Sequence, residues 1–560
     1  MRKSVFVSLA LLAAAGITLT AASNQVNEPE IRSVGAEDVV QFENYTGPHR
    51  VIETASDITS IGTGMGKQVA GNLSASRVIG AGKYSVIHAV DPNEQGKLDA
   101  DILLINSTAT VDHVRNLRRI IAGYLSAAYG YSERDASTLA TFITVYNAVY
   151  RGKLDIYQSK YKEAVTSHLT AEKCGLSTRW SDWPGNSQIV IPLGDIESGG
   201  LSSVDTSVIS DQNVVDSMRE DEDKGVEQRK DMVDIKERES EAAQEKADQD
   251  AQKAQEAKKE ADEARQKADE SAKEAQQKQE AAEEARREAE EDPDNTQKRE
   301  AAEEAQKEAD EAQEAAEEAQ KEADDAQEKA AEASRAAEES QQTADRKQAE
   351  VQEERREIAR DQQQIENQAI RDASANAVYG LVITNESGLL SAMTKINSDT
   401  GETMKTSPVT MVRGRTMLPV QNPDLSGTEA ESENIDTSLL YMAICGEDSK
   451  NGVVKLCLLD TTRMEIQKES VEELSASSVL VNQGSDYYVI IKDGSRYVVG
   501  KYDKSLNLRQ KSPVSVNPST PITVTQKGLV VTGANSRTLL LELSSLDTIA
   551  QDSSSPAVEK

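Results

Sequence analysis

Large apolar side chains are missing from one long stretch of this 560-residue chain. Residues 236–350 contain no Val, Ile, Leu, Met, Phe, Tyr or Trp, so this stretch cannot bury a globular core of its own. Aromatic residues are scarce throughout, at 4% of the chain. The middle of the chain must therefore be either helical and elongated or disordered, with folded cores on either side of it.

Residue types that mark common catalytic and metal sites are also few. The four histidines, His49, His88, His113 and His168, are scattered and have no metal-ligand spacing with the three cysteines. There is no Gly-x-Ser-x-Gly elbow and no His-Glu-x-x-His motif. The sequence therefore predicts no catalytic residue, no cofactor and no metal site.

The first 22 residues have the pattern of a secretory signal peptide. A basic start precedes an apolar run from Val5 to Leu19, and small residues follow, which predicts cleavage after Ala22 or Ser23. No Cys lies near this site, so we expect no lipid anchor. No later stretch approaches the roughly 20 apolar residues that a membrane span needs. We expect a secreted protein of the periplasm or cell envelope.

The chain is strongly acidic. Its formal net charge is −34 and its pI is about 4.7. This charge argues against nucleic acid and against anionic membrane surfaces as partners. The partners that remain are envelope proteins or components associated with peptidoglycan.

Alanine recurs through the central stretch with a regular period. Its steps alternate between four and three residues, which gives the 3.5-residue repeat of a supercoiled helix with one apolar seam. The series in the second half is Ala305, Ala309, Ala312, Ala316, Ala319, Ala323, Ala326, Ala330, Ala333 and Ala337. The intervening Glu, Gln, Lys and Arg are strong helix formers, which favours helix over a disordered acidic tail.

The seam is interrupted once, at Pro293, where the alanine series also loses its phase. Proline forbids a continuous helical hydrogen-bond ladder. We predict two helical arms, 226–291 and 297–372, that fold back at a turn, 292–296, into an antiparallel coiled-coil hairpin. The alternative is a single kinked rod that dimerises through its seam. Larger apolar residues stand at the bases of both arms: Met232, Val233, Ile235, Val351, Ile358 and Ile365.

Residues 30–195 predict a mixed α/β or α+β domain that is long enough to hold one core. Three β-prone runs alternate with helical patterns along it. The β-prone runs lie at 84–90, 102–105 and 188–193, and the helical patterns at 111–128, 135–150 and 154–169. The composition then shifts to Ser, Asp and Gly, so residues 196–225 are predicted to be a linker.

Residues 376–551 predict an all-β domain built from a repeat of about 42 residues. About four short strands per repeat is propeller-like. Four repeats would be the smallest number known to close, so an open stack or a sandwich remains an alternative. Residues 552–560 are predicted to be a disordered tail. Equivalent strand ends recur at Ile396, Leu459, Tyr502 and Leu543.

Several residues resemble parts of functional sites but have simpler structural explanations. The Gly-Thr-Gly-Met-Gly-Lys run at 62–67 departs from the phosphate-binding loop pattern, so a flexible turn is predicted. Asp99 and Asp101, with Asp91, could form an acid–base site, although acidic residues are common in this chain.

The main aromatic cluster favours core packing, and a stacking platform for sugar or peptide is its functional alternative. Its members are Tyr146, Tyr150, Tyr157, Trp180 and Trp183.

Two of the three cysteines flank a predicted Asn-Gly hairpin turn at 451–452. A two-residue loop would place Cys445 opposite Leu458, and a three-residue loop would place Cys445 opposite Cys457. A disulfide between Cys445 and Cys457 is therefore open, and Cys174 is predicted to be a buried thiol.

Four stretches of the N-terminal domain match a known family. They are Phe-Glu-Asn-Tyr-Thr-Gly-Pro-His-Arg-Val-Ile at 42–52, Gly-Lys-Tyr-Ser-Val-Ile-His-Ala-Val-Asp at 82–91, Phe-Ile-Thr-Val-Tyr-Asn-Ala-Val-Tyr-Arg-Gly at 142–152 and Ile-Val-Ile-Pro-Leu at 189–193. In these stretches the chain resembles the spirochaete 83/100-kilodalton major antigen family, and its alanine-rich helix and β repeats agree in type. The resemblance implies a secreted, cell-envelope coiled-coil protein known mainly as an immunogenic antigen. It supplies no catalytic residues.

Two hypotheses for function follow. The first is a periplasmic or cell-envelope structural or scaffolding protein whose helical hairpin spaces or docks envelope partners, with a homo-oligomer possible through the coiled coil. The second is a hydrolase or a carbohydrate- or peptide-binding protein that acts through the N-terminal domain and uses the propeller-like part as a recognition module.

Overall fold

The computed structural model describes residues 40–80, 82–194, 204–218, 225–373, 376–426, 438–449 and 452–551. The predicted signal peptide, 1–22, and the predicted tail, 552–560, lie outside these ranges. The side chain of Ile365, predicted to belong to the hairpin base, also lies outside what is described.

The N-terminal domain is a four-stranded sheet packed with helices. Its elements are α1 (Ala55–Ala70), β1 (Arg77–Ile79), β2 (Tyr84–Ala89), β3 (Asp99–Ile105), α2 (Val114–Tyr129), α3 (Glu133–Val149), α4 (Leu154–Lys160), α5 (Glu163–Thr166) and β4 (Ser187–Leu193). The strands lie in the order β1-β2-β3-β4 and pair antiparallel throughout. Of the two fold classes predicted for this domain, the structure therefore has α+β.

The glycine run at 62–67 lies inside α1, so the predicted flexible turn is wrong. A Cβ atom added at Gly62 would lie 1.8 Å from the carbonyl oxygen of Ile120, and one at Gly66 would lie 2.4 Å from that of Tyr124. Both of these oxygens belong to α2. Glycines four residues apart share one helix face, and their missing side chains let the two helix backbones approach this closely.

Part of the predicted linker, 196–225, is folded onto the N-terminal domain, which corrects that prediction. The chain forms α6 (Thr206–Ile209) and α7 (Gln212–Met218) there. Ile209, Val214 and Met218 are fully buried in the domain core. The polar composition around these residues concealed an apolar face, which is what brings the two short helices onto α3.

Two long helices, α8 (Val226–Glu291) and α9 (Thr296–Ala373), follow and pack against each other along their lengths. They are antiparallel, since residues near the start of α8 contact residues near the end of α9. The turn between them contains Pro293. The predicted long helical region is thus confirmed, and its two helices pack together within one chain.

The C-terminal region is all β and consists of four units that follow one another along the chain. Unit 1 is β5 (Ala377–Asn385), β6 (Leu390–Asn397) and β7 (Thr403–Thr406). Unit 2 is β8 (Val412–Gln421), β9 (Leu439–Gly446), β10 (Val454–Asp460) and β11 (Ile466–Glu469). Unit 3 is β12 (Val481–Gln483), β13 (Asp486–Asp493), β14 (Arg496–Tyr502) and β15 (Leu508–Lys511). Unit 4 is β16 (Thr523–Thr525), β17 (Gly528–Thr532), β18 (Thr538–Leu541) and β19 (Thr548–Gln551).

The repeat is visible in the backbone. Met464, Leu506 and Leu546 occupy equivalent turns of units 2, 3 and 4, and each is buried with a positive φ of 62–65°. Units 1 and 2 share a seven-stranded sheet, in which β6 meets β8 at the Ser391–Val412 pair. Separate apolar cores join unit 1 to 2, unit 2 to 3 and unit 3 to 4. Among the described strands none joins unit 4 back to unit 1, so no closed propeller is found, and of the arrangements that the sequence left open the described units have an open series.

Candidate functional site

The contact between α8 and α9 is an alanine seam with a seven-residue step. The buried alanines on each helix are at most 9% exposed, and apart from Ala319 on α9 they are separated by seven residues or a multiple of seven. They are Ala247, Ala268, Ala275 and Ala282 on α8, and Ala309, Ala316, Ala323, Ala330 and Ala344 on α9. Val351 and Ile358 continue the same step toward the end of α9 and pack with Val233. The 3.5-residue period of the sequence is therefore the period of burial.

We define the base of the hairpin as residues 226–240 and 347–363. The seam has two positions in each seven-residue step, and near the base charged residues replace alanine at one of them. Arg229 pairs there with Asp361, and Lys236 pairs with Glu354. Arg229 is only 4% exposed and Lys236 only 8%. Shifting α9 by one seven-residue step in one direction would bring Lys347 against Lys236, so these pairs disfavour that register.

One polar layer lies farther along the arms. The Ser340 hydroxyl donates to Asp250 at 2.7 Å, and Lys253 lies 3.0 Å from the same carboxylate. The hydrogen bond from Ser340, with that from Lys253, lowers the pKa of Asp250. The cross-arm pairs beyond it, such as Lys267 with Glu322 at 2.8 Å, are solvent-exposed, so water and salt screen them and they contribute little to stability.

The base of the hairpin is part of the N-terminal domain. Met232 and Ile235 of α8 are buried in the core of that domain. Arg134 on α3 pairs with Asp231, and Asp135 lies 2.8 Å from Arg238. The direction in which the arm leaves the domain is therefore set by apolar packing and by ion pairs to α3.

The base also contacts α6 through Glu239. Its carboxylate accepts a hydrogen bond from Thr206 of α6 at 2.7 Å and lies 3.2 Å from Lys347 of α9. One side chain thus links both arms of the hairpin to a helix of the N-terminal domain.

The N-terminal domain also contacts the β units, at what we call the domain junction: residues 45–50, Asp112 and Arg115 against Lys455, Glu465, Glu469 and Glu473. His49 lies between carboxylates of both sides, with Nδ1 3.0 Å from Glu469 and Nε2 3.3 Å from Asp112. Hydrogen bonding to Asp112 and Glu469 raises the pKa of His49 to about 10. The ring is therefore a cation at neutral pH that links the two domains.

Two further cations of the N-terminal domain, and one of the β units, strengthen the junction. Arg115 pairs with Glu465, and Arg50 lies 3.5 Å from Glu473. The ammonium of Lys455, which is 2% exposed, lies 3.3 Å from Glu469. Residues about 400 positions apart in the chain therefore meet here, which the sequence pattern alone did not indicate.

Of the predicted acid–base candidates, Asp101 is fully buried and committed to structural partners. It accepts hydrogen bonds from Tyr124 and Tyr129 and lies 2.5 Å from Nδ1 of His88. His88 Nε2 lies 2.9 Å from the carbonyl oxygen of Leu73. Burial lowers the pKa of His88, but bonding to Asp101 and Leu73 leaves it raised overall. This cluster is a satisfied part of the core.

The other carboxylates and aromatic residues are likewise engaged in packing. Asp99 lies 2.9 Å from Lys162 and accepts the backbone N–H of Asp91. Trp183 is fully buried and donates its indole N–H to Ser177. Tyr146, Tyr150 and Tyr157 pack together in the core, and Trp180 packs edge-on against Tyr45. These residues do not form an exposed stacking surface.

The remaining histidines are separated from one another. Nδ1 of His113 accepts the backbone N–H of Arg115 and so caps α2. The backbone carbonyl of His168 accepts a hydrogen bond from Gln188. Within the described ranges no three His, Cys, Asp or Glu side chains are close enough to hold a metal ion.

All three cysteines are buried free thiols. Cys445 lies opposite Lys455, and Cys457 lies opposite Ala443. The loop is therefore longer than either predicted alternative, and neither predicted pairing, with Leu458 or with Cys457, is correct. The cysteines are diagonal neighbours on one face of the sheet and belong to the core between units 1 and 2.

The sequence analysis missed the charged positions of the hairpin base. A signal for them was present: Arg229 and Lys236 are seven residues apart, as are Glu354 and Asp361, and the two sets have opposite sign. Such residues at seam positions of two facing arms are what an antiparallel register requires. For the domain junction we find no comparable signal.

Comparison with known protein families identifies a match over most of the chain. The sequence profile of a family described as "Borrelia P83/100 protein" matches residues 28–522. This range includes the N-terminal domain, the hairpin and the first three β units. No curated protein matches the chain. In the part of the chain that the structure describes, no helix is both long and apolar enough to cross a membrane.

Proposed function

The chain belongs to the Borrelia P83/100 protein family, and from this premise we propose that it is a structural protein of the cell envelope whose helical hairpin spaces or docks envelope partners. The observation that carries the proposal is the hairpin itself. It is closed along an alanine seam and held at its base by buried ion pairs and by the N-terminal core.

The dimensions of the hairpin suit a spacer. At about 1.5 Å per residue, α8 and α9 each extend on the order of 100 Å. A hairpin has two helices side by side and is stiffer than one helix. Its base is fixed to a folded domain, so a partner at the tip is held at a defined distance from that domain.

The outer surface of the arm supports docking by charge. Residues 300–345 contain 17 acidic and four basic side chains. The alanine seam is used within the chain, so a partner meets mainly exposed carboxylates. A protein with a basic surface is the partner that this charge favours, with the interaction weakening as salt is added.

The experiment places a photo-crosslinking residue at Glu314, on the exposed distal part of α9, and in a matched variant at Val51, which is 73% exposed in the N-terminal domain. In intact cells we expect Glu314 to crosslink reproducibly to one envelope partner and Val51 not to do so. Crosslinks from Val51 alone would contradict the scaffold role and favour recognition by the N-terminal domain. Cell fractionation tests the envelope location in the same samples.

A further inference from the structure

A short segment of the N-terminal domain lies against the β units. We call residues 46–50, Thr-Gly-Pro-His-Arg, the inserted segment; they lie outside every described helix and strand. Its two flanks are fixed to the N-terminal domain, because the backbone N–H of Tyr45 donates to the carbonyl oxygen of Asp112 and Thr54 caps α1. Between these fixed points the chain passes along units 1 and 2.

The middle of the inserted segment fits closely against the β units. Gly47 and Pro48 are both buried. A Cβ atom added at Gly47 would lie 2.6 Å from Sδ of Met411, and one added at Gly446 would lie 3.0 Å from Cγ of Pro48. The surface therefore accepts Gly-Pro at this place and has little room for a larger residue than glycine.

Two carbonyl oxygens of the β units accept hydrogen bonds from the inserted segment. The Thr46 hydroxyl donates to the carbonyl oxygen of Pro408 at 3.2 Å. The Arg50 guanidinium donates to the carbonyl oxygen of Gly452 at 2.8 Å. These two contacts lie at the two ends of the segment, so its whole length is in register with the surface.

Two carboxylates at the end of unit 2 bind the cations of the inserted segment. His49 donates its backbone N–H to Glu469 at 2.8 Å, and Nδ1 of its ring lies 3.0 Å from the same carboxylate. Arg50 lies 3.5 Å from Glu473. In these contacts, as in those to the carbonyl oxygens, the segment donates and the β units accept. A ligand for this surface must therefore supply hydrogen-bond donors and positive charge.

The β units hold these carboxylates in place by contacts of their own. The ammonium of Lys455 lies 3.3 Å from Glu469, and that of Lys492 lies 3.4 Å from Glu473. A carboxylate has about four lone-pair positions, so each of the two can accept a second cation. The acceptors are thus preorganised, and a ligand does not have to order them.

The junction has the character of a reversible contact. Each apolar core among the described residues belongs either to the N-terminal domain and the hairpin or to the β units, and none includes residues of both. The pair of Arg50 with Glu473 is partly exposed to solvent. Domain interfaces without a large apolar area permit relative motion. The inserted segment can therefore leave this surface while both domains stay folded.

We propose that the surface of units 1 and 2 under the inserted segment is a peptide-binding site, which this segment closes in the resting chain and which accepts in its place an extended peptide of a partner protein with Gly-Pro before cationic residues. The segment acts as a tethered competitor, so a partner peptide binds only the fraction of chains in which the site is vacant. This site goes beyond the scaffold role of the hairpin and does not rest on it.

The test vacates the site in the full chain by replacing residues 46–50 with Gly-Ser-Gly-Ser-Gly, which keeps Tyr45 and Thr54. The probe is a fluorescent synthetic peptide of residues 44–52, and its binding is followed by fluorescence anisotropy. We expect micromolar binding to the vacated chain and binding about tenfold weaker, or weaker still, to the wild type, because the inserted segment competes. Absence of binding to the vacated chain, or equal binding to both chains, would overturn the proposal.

Variants of the peptide are the matched controls, because they leave the fold of the protein unchanged. A peptide that carries His49→Ala and Arg50→Ala should bind the vacated chain about tenfold more weakly, since it lacks both cations. A scrambled peptide of the native composition should lose as much. Equal binding of the scrambled peptide would show only attraction to an acidic protein and would contradict a specific site.

A second measurement uses the wild type and so does not depend on how the vacated chain folds. The backbone N–H of His49 is bonded to Glu469, so its hydrogen exchange reports opening of the site. Excess unlabelled peptide, added to an isotope-labelled chain, should speed exchange at His49 by about tenfold by displacing the segment. Exchange within α1 should not change. An unchanged rate at His49 would show that the peptide does not replace the segment and would refute the proposal.

Discussion

The α1–α2 contact and the α8–α9 contact both bring two helices together through the smallest residues, but they are built differently. In the first, a Cβ atom added at Gly62 or Gly66 would lie within 2.4 Å of backbone oxygens of α2, in a domain full of large buried side chains. In the second, methyl groups meet at seven-residue steps with no large side chain until the base. In the first contact the backbones approach closely at Gly62 and Gly66 of α1 and at Gly123 of α2, and the second contact is distributed along the whole arm.

This difference shows that small residues can serve two purposes. In α1 they permit backbone contact at a fixed point, so each position is essential. In the hairpin each alanine adds about 0.8 kcal/mol or less of methyl burial, and specificity comes from charged pairs at the base. We therefore expect single substitutions in α1 to reduce stability strongly and single substitutions along α8 and α9 to reduce it only slightly.

The largest effect is expected from Gly62→Ala. Its Cβ would lie 1.8 Å from the Ile120 carbonyl oxygen, so the helices must separate, and we expect the N-terminal domain to lose about 3 kcal/mol of unfolding free energy. Chemical denaturation measures the loss. Gly64→Ala is the control in the same helix, because nothing lies within 4 Å of its added Cβ. It should be neutral or stabilising by about 1 kcal/mol, and equal losses for both would refute the close-contact explanation.

The next effect tests whether charge sets the hairpin register. Lys236→Glu places a carboxylate beside Glu354 in a largely buried position and should destabilise the base by about 2 kcal/mol. Glu354→Lys in the same chain should restore most of the loss. Hydrogen exchange of the base measures both. Lys267→Glu replaces a lysine whose side chain is 65% exposed; it is the control and should have a much smaller effect than Lys236→Glu. Failure of the charge swap to restore protection would show that the pair does not set the register.

A smaller effect separates seam packing from helix propensity. Ala275→Gly should weaken hydrogen-exchange protection around residue 275 by about 1–2 kcal/mol, because it loses both propensity and a buried methyl group. Ala272→Gly, on the exposed face of the same helix, should lose only about 1 kcal/mol of propensity. If the two variants are equal, the alanine seam contributes nothing beyond helix formation.

The smallest effect concerns pH and has no counterpart in the glycine contact. The pKa of Asp250 is lowered in the folded chain by the hydrogen bond from Ser340 and by Lys253. The contribution of Asp250 to the stability of the hairpin is therefore present above its ordinary pKa of 3.8 and is lost as the pH falls through the lowered pKa. The difference in exchange protection between wild type and Asp250→Asn should thus be seen at pH 7 and vanish in acid. A difference that persists below the lowered pKa would contradict this assignment.

The hairpin could be predicted from the sequence because its information is local and periodic. Alanine steps of three and four residues give the seam, and Pro293 with the loss of phase gives the turn. Three of the four strands of the N-terminal sheet were predictable for a similar reason, since they contain apolar runs such as Ile189 to Leu193. The short strand β1 was not predicted.

The parts that were missed depend on contacts distant in sequence. Gly62 and Gly66 are locally typical of a turn, and only the approach of α2 makes them helical. Residues 206–218 have a linker-like composition, yet their few apolar side chains complete a core formed by α3 and the start of α8. His49 meets Glu469 because two domains pack together, and no short-range pattern records that.

The β repeat could be recognised in the sequence, but the sequence did not show whether the β units close into a propeller. Equivalent strand ends recur at Leu459, Tyr502 and Leu543 with nearly equal spacing, the first interval from Ile396 is longer, and the structure has four units in series. Whether such a series closes depends on the angle between successive units and on the strand at each end. Among the described residues unit 1 has three strands where each of the other units has four.

The chain enters and leaves the hairpin at nearly the same point, since Arg229 and Asp361 are paired. The part of the hairpin beyond its base is therefore an insertion whose ends are already joined, and its length is independent of the folded domains. Adding or removing one seven-residue step in both arms would change the reach by about 10 Å and keep every facing pair in phase. The distance between the N-terminal domain and the tip of the hairpin can therefore change by whole heptads while both ends of the hairpin keep their contacts.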